Sequence, residues 1–269
     1  MRQMPSFFTI FVVEIGFHHG RTSKEKMYEK TRGIVLHALR YSDDSQIVDV
    51  LTETRGCVPF LVKMPRSRKS GIKTQLLRPL NILDIDLDYR PQQNLQRIRD
   101  MRVHEPYQSI PYEPLKSVVA LFLGEILYYA LRHEDKNERL FNFLLQSLHW
   151  FDMAEADYVN FHLACLIKMT RYLGFWPNCE ERENRMAFFD LIEASFTNLH
   201  PIHSHYLKGE EAEWVPRFLK MNYATMRYFK MTRQQRNYVL DILCYYYRLH
   251  IPDFPEIKSL NILREVVGD

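Results

Sequence analysis

Cysteine is scarce in this chain. There are four in 269 residues, Cys57, Cys165, Cys179 and Cys244, and no Cys-x-x-Cys pair. They read as reduced thiols of a cytosolic protein rather than a disulfide framework. The P-loop, GxGxxG, HExxH and GxSxG signatures are missing, and with them the common marks of nucleotide, zinc-protease and serine-hydrolase chemistry. There is no internal repeat and no low-complexity tract. No segment reads as long and apolar enough to cross a bilayer. The apolar run 7–13 is too short, Glu14 interrupts it, and residues 16–20 make no small-residue cleavage site. A large excess of one charge is also lacking: the net charge is +3. Overall charge therefore does not demand a nucleic-acid partner, and its distribution has to make that case.

One stretch lacks acids altogether. From Lys63 to Arg78 there are six cations, Lys63, Arg66, Arg68, Lys69, Lys73 and Arg78, and no Asp or Glu. A basic loop held by a small β-domain can follow a phosphate backbone; the blander alternative is a solvated surface loop.

With 46% hydrophobic and 26% charged residues, the chain can bury a sizeable core and is long enough for two domains. Residues 1–26 read as an upstream extension ahead of Met27, poorly ordered or loosely docked. From there the pattern is β: strands are expected over 33–41, 46–52, 57–62, 80–88 and 95–103. Pro59 suggests an edge or bulge, and the change of phase at Ile82-Leu83 a bulge. Five short strands fit a small closed or partly open barrel of the OB type over 27–106. Pro106, Pro111 and Pro114 mark a boundary, and 107–269 becomes helical. Helices are expected over 115–132, 138–153, 158–173 (N-cap Asp157, terminator Gly174), 213–221, 232–250 and 257–267, with 175–206 irregular. The fold class is α+β.

Catalytic and metal readings are weak. Asp84, Asp86 and Asp88 alternate on one strand and would suit a magnesium-dependent nuclease; the competing reading is the solvent face of a half-buried strand. Cys179, His200, His203 and His205 have zinc-type chemistry but loose spacing. His149 and His162 read as ordinary helix residues. Tyr245, Tyr246 and Tyr247 face three directions on a helix, which favours packing over a stacking platform.

Several modest motifs occur in a telling order. The opening Lys30-Thr31-Arg32-Gly33-Ile34-Val35-Leu36 is followed by Tyr41-Ser42-Asp43-Asp44-Ser45, and then by residues 48–56 ending Thr54-Arg55-Gly56. The basic stretch runs into Leu77-Arg78-Pro79-Leu80, and Leu173-Gly174-Phe175-Trp176-Pro177 comes later. This order resembles the bacterial recombination mediator family RecO over about residues 27–269. The resemblance implies an N-terminal OB-fold and a helical C-terminal domain. It implies binding of single- and double-stranded DNA, strand annealing, and loading of RecA with RecR. It also implies contact with the acidic, Phe-ended tail of single-stranded DNA-binding protein (SSB). Some relatives carry a four-cysteine zinc module after the Gly-aromatic-x-Pro step; this chain has no cysteines near Arg182 and Arg185, so neither a metal nor a cofactor is expected.

On that reading no catalytic residue is needed. Phosphate contacts are expected from Lys63, Arg66, Arg68, Lys69, Lys73 and Arg78, supported by Arg97, Arg99 and Arg102. Base stacking is expected from Tyr41, Phe60 and Tyr89. Arg132, Lys168 and Arg171, on helices with apolar flanks, are candidates for the SSB tail. The competing class is an OB-like protein-interaction scaffold, which would lack a steep salt dependence.

Overall fold

The computed structural model describes residues 27–64, 75–179 and 187–266. The expected N-terminal extension lies outside the described residues. So do Arg66, Arg68, Lys69 and Lys73 of the acid-free stretch, and Arg182 and Arg185.

Five strands come first: β1 (Met27–Ser42), β2 (Ser45–Thr52), β3 (Gly56–Lys63), β4 (Ile82–Tyr89) and β5 (Arg97–Val103). They form one sheet in the order β3-β2-β1-β4-β5, with every neighbouring pair antiparallel. β1 starts well before its apolar alternation does, because Met27 to Arg32 pair with Tyr89 to Asp84 of β4. Pro59 sits in β3, an edge strand, as its missing N–H requires. The irregularities fall elsewhere than at Ile82-Leu83: in β1 between Val35 and His37 and between Arg40 and Ser42, and in the β4–β5 pairing between Asp86 and Leu87. The two edges of the sheet meet at a single parallel bridge between Phe60 and Gln96. Gln96 donates its N–H to the Pro59 carbonyl and accepts from the Leu61 N–H, both at 2.9 Å. That one bridge is short of the ladder a closed barrel would have.

The sheet buries one face wholly and part of the other. Val35, Val48, Val50, Phe60, Leu83 and Ile85 fill its concave side. Ile34, Leu36, Leu51 and Ile82 turn the other way and join the core of the helical part. That explains why Ile34-Val35-Leu36 is buried without a break.

The helices are α1 (Pro114–Leu131), α2 (Glu138–Met153), α3 (Phe161–Leu173), α4 (Glu210–Leu219), α5 (Arg233–His250) and α6 (Ser259–Val266). By length and composition alone α1 could cross a membrane, which corrects the sequence reading; half of it is buried inside the protein. α5 begins with the expected Thr232 cap, whose hydroxyl and the Gln235 side chain form a reciprocal capping box. Gly174 ends α3 at φ 87°, in the left-handed region. Asp157 is not the cap of α3. It lies in a preceding turn at φ 62°, and Asn160 directly precedes the helix. The stretch read as irregular contains a small sheet, β6 (Phe188–Asp190), β7 (Ser195–Thr197) and β8 (Tyr206–Lys208), in the order β7-β6-β8. Strands of three residues are too short to show alternation; buried Phe189 and Leu207 hold them to the helices.

Two features join sheet to helices. Asp152, at the end of α2, accepts the N–H groups of Gln108, Ser109 and Ile110 at 2.7–2.9 Å. Beside it the buried Lys116 ammonium donates to the Ser109 hydroxyl and to the Asp152 and Ala154 carbonyls. The second feature is the β2–β3 turn. Cys57 N–H bonds the Glu134 carbonyl at 2.9 Å, and Gly56, at φ 75°, packs on the Glu134–Asp135 backbone.

Candidate nucleic-acid interface

Strands β1, β4 and β5 place charges in register across their solvent-facing side. On β1, Tyr28, Lys30 and Arg32 stand opposite Asp88, Asp86 and Asp84 of β4. Those acids in turn face Arg97, Asp100 and Arg102 of β5. The β4 acids answer the neighbouring cations. Asp84 meets Arg102 at 3.1 Å and His104 at 2.8 Å; Asp86 meets Lys30 at 3.8 Å and Asp88 meets Arg90 at 2.8 Å. Burial by itself would raise the Asp84 carboxyl pKa, but the hydrogen bonds of His104 and Arg102 outweigh it and hold it low. This overturns the three-acid nuclease reading. The carboxylates are counter-ions of two cationic strands, and among the described residues no group of three His, Cys, Asp or Glu could hold a metal ion.

A groove opens where β3 and β5 part company past the Phe60–Gln96 bridge. Leu61 and Lys63 form one wall; Arg97, Arg99 and Met101 form the other, with Asp100 as the one acid among three cations. Lys63, Arg97 and Arg99 are exposed. The acid-free stretch leaves the sheet from this same groove, since Lys63 is the last residue of β3. Tyr28, 63% exposed, lies across the Arg99 guanidinium, 4.7 Å from ring centroid to charge. Tyr28 thus puts an open aromatic face among these cations. Sequence reasoning passed over it because β1 was expected to begin at residue 33. Gln96 was missed too. Its buried side chain donates to the Arg90 carbonyl at 3.0 Å and accepts the Arg90 N–H at 2.8 Å, which fixes the start of β5.

The remaining predicted residues are dispersed. Arg102 is exposed but tied to Asp84. Arg78 is exposed on the turn between Leu77, in the sheet core, and Leu80, in the helical core. Tyr41 is 63% exposed near the end of β1, where β2 begins and β3 ends. Tyr89 is at the opposite end of the sheet, with the Arg55 guanidinium 3.7 Å above its ring. Phe60 is a correction. Its ring is fully buried in the concave core and presents no face to a base.

The zinc-type residues have other partners. His203 pairs with Asp190 at 3.1 Å, His205 bonds the Tyr245 hydroxyl, and His200 lies 3.1 Å from the Tyr206 hydroxyl. His162 sits in the core edge-on to Phe122, and burial pushes its pKa down to about 3, so it stays neutral. Burial likewise pushes the thiols of Cys57, Cys165 and Cys244 up to about 12, which keeps them protonated and unreactive. Tyr246 and Tyr247 are buried, with their hydroxyls bonded to the Phe175 and Leu166 carbonyls, so the tyrosine triplet is packing as expected.

In the helical part, Lys168 and Arg171 of α3 share one aromatic partner, Trp176, at 5.3 and 6.0 Å. The Lys168 ammonium also donates to the Leu219 carbonyl, on the rim of an apolar cavity lined by Ile167, Phe189, Trp214, Phe218, Leu219 and Val239. Partial burial lowers the Lys168 pKa, and Arg171 adds to that. Arg132 is not part of this group. It caps α1 and lies against Tyr129.

Comparison with known proteins gives the same assignment over nearly the whole described chain. Residues 27–107 match the family model described as "Recombination protein O N terminal", and residues 112–260 match "Recombination protein O C terminal". Among curated proteins, DNA repair protein RecO of Phocaeicola vulgatus is 47% identical over 241 residues, covering 89% of this chain and 99% of its own. DNA repair protein RecO of Bacteroides fragilis is 44% identical over the same shares. DNA repair protein RecO of Flavobacterium psychrophilum is 33% identical, again covering 89% and 99%. The chain belongs to the RecO family and has a role in DNA repair and recombination.

Proposed function

We propose that the chain is a non-enzymatic recombination mediator that binds single- and double-stranded DNA and anneals complementary strands. It does so through a partly open five-stranded barrel of the OB type, residues 27–106, followed by a helical domain, 107–269. The observation that carries this reading is the groove at the β3–β5 seam, where Lys63, Arg97 and Arg99 converge beside Tyr28. Cations there displace counterions from phosphates without reading sequence. Tyr28 and Tyr41 supply stacking faces that any base fits. In the sequence Lys63 is followed by Arg66, Arg68, Lys69 and Lys73, which belong to the same proposed interface. Two strands, each partly neutralised, then lie close enough to pair.

Anisotropy with labelled oligo-dT tests this. Lys63→Glu/Arg97→Glu/Arg99→Glu should weaken binding at least about tenfold and take about 2 from the log–log salt slope. Alanine at Arg66, Arg68 and Lys69 should slow annealing. Wild-type affinity, slope and annealing in these variants would sink the groove and loop assignment, and a flat salt dependence in the wild type would favour the scaffold reading.

The mediator works in the cytoplasm at the nucleoid, with RecR, to load RecA on SSB-coated strands. For the acidic SSB tail, an apolar cavity rimmed by Lys168 and flanked by Arg171 offers both a place for a phenyl ring and charge for a carboxylate; Glu211 on the cavity wall repels a carboxylate placed beside it. Arg171→Glu, exposed and therefore tolerated, should lower affinity for a tail peptide about fivefold, equivalent to about 1 kcal/mol. Unchanged affinity would remove this surface from consideration, and Arg132 would be tested next.

A further inference from the structure

A second cationic cavity lies in the helical part, between the 3-10 turn Met226–Tyr228 and the start of α5. Its described lining includes three cations, Arg227, Lys230 and Arg236, and one acid, Asp157. The three cations are held in different ways. Arg236 is only 9% exposed and forms the floor. Its Nε donates to the Asn160 side-chain oxygen at 3.1 Å and its Nη2 to the Met231 carbonyl at 3.2 Å. Asn160 in turn donates to the carbonyls of Met226 and Phe229, at 3.2 and 2.9 Å. The backbone of residues 226–231 is therefore wrapped around a buried Asn160–Arg236 pair, which places the exposed Arg227 and Lys230 on its outer side. Such a cradle needs little reordering when it meets an anion. Thr232, capping α5, adds the positive end of an 18-residue helix to the same wall.

An exposed aromatic ring lies beside the cavity, next to Arg227 and outside the lining itself. Tyr228 is 68% exposed, and the Arg227 guanidinium lies 4.8 Å from its centroid and 2.7 Å from its hydroxyl. An acidic peptide needs the cations, and it uses the open ring only where it carries an aromatic side chain. A nucleotide matches both, with phosphate on the cations and base on the ring.

We propose that this cavity is a second nucleic-acid contact, taking a phosphodiester group while Tyr228 stacks the adjacent base. The inference rests on the DNA-binding reading and extends it: one molecule would hold one strand at the β3–β5 groove and another on the helical part.

The test is strand bridging. Full-length protein is bound to immobilised oligo-dT, and capture of a second, labelled, non-complementary strand is measured. Arg227→Glu/Lys230→Glu should cut second-strand capture about tenfold, through loss of two phosphate contacts, and leave first-strand affinity within about threefold. Tyr228→Ala should reduce capture, and Arg227→Lys/Lys230→Arg should restore it. All three positions are exposed, so a retained melting temperature is expected and is checked. Unchanged capture by the charge-reversed protein overturns the inference, as does a wild type that binds the first strand but captures no second. If the charge reversal abolishes binding of an acidic peptide and spares the second strand, the cavity belongs to a protein partner and the nucleic-acid assignment is overturned. A wild type that binds no strand at all sinks the earlier reading instead, which separates the two failures.

Discussion

Asp152→Ala is expected to destabilise the protein by about 3–5 kcal/mol, the scale for breaking a buried charged network. The side chain is 7% exposed, and its two oxygens answer three consecutive backbone N–H groups and the Ser109 hydroxyl. Alanine leaves those donors unanswered, the Ile110 N–H among them buried, next to a buried ammonium. Equilibrium denaturation at pH 7 measures the loss, and a change below about 1 kcal/mol would contradict this account of the joint. The pH dependence carries a sign. Burial alone would raise the Asp152 carboxyl pKa; the N–H groups of Gln108, Ile110 and Ser109 outweigh it and set it below the ordinary 3.8. A depressed carboxyl gives its full stabilisation above the unfolded-state value and loses it as pH falls through the folded value. The gap between wild type and variant should therefore narrow only in acid, below about pH 4.

Gly56→Ala should be nearly as damaging, and the comparison that proves the reason is Gly174→Ala. Both glycines have positive φ, 75° and 87°. The left-handed conformation alone costs a side chain about 1–2 kcal/mol. A Cβ on Gly174 meets nothing within 4 Å. A Cβ on Gly56 would lie 2.3 Å from the Glu134 carbonyl oxygen and 2.4 Å from the Asp135 carbonyl carbon, both backbone atoms that no rotamer change can move. The turn must withdraw, and the Cys57 N–H to Glu134 bond goes with it. Gly56→Ala should therefore exceed Gly174→Ala by about 2 kcal/mol or more in denaturant midpoints. Equal effects would mean that the turn does not bear on the helices.

How much of this was readable from residues alone varies by element. The five strands were visible because half-buried strands alternate, and β4 shows it plainly in Ile82 to Tyr89. Long helices were visible because a core of this size imposes a 3.6-residue period; α2 came out at its observed limits. The first residues of β1 were not visible. Tyr28, Lys30 and Arg32 owe their strand conformation to partners more than fifty residues away on β4, and local pattern carries no trace of that. The same cause hid the candidate site. Arg97 and Arg99 could be picked as cations, but their meeting with Lys63 depends on a bridge between residues 60 and 96. Asp84, Asp86 and Asp88 read correctly as the outer face of a half-buried strand, but a strand reading does not show which cations stand opposite them. Phe60 could be read from the sequence either as a stacker or as core; strand register decides for core and leaves Tyr41 exposed. The Asn160–Arg236 pair spans 76 residues, so no window in the sequence brings its members together.

Strand β1 contributes alternate side chains to both cores, Val35 to one and Ile34 and Leu36 to the other. Its two halves of the molecule are thus thermodynamically one object. Cutting the chain after the sheet would leave Ile34, Leu36, Leu51 and Ile82 facing water, an adhesive face rather than a free-standing module. Unfolding of either part removes support from the other, so the stabilities of sheet and helices are coupled. A strand of nucleic acid that stiffens the sheet would, by the same linkage, slow the opening of helices it never touches.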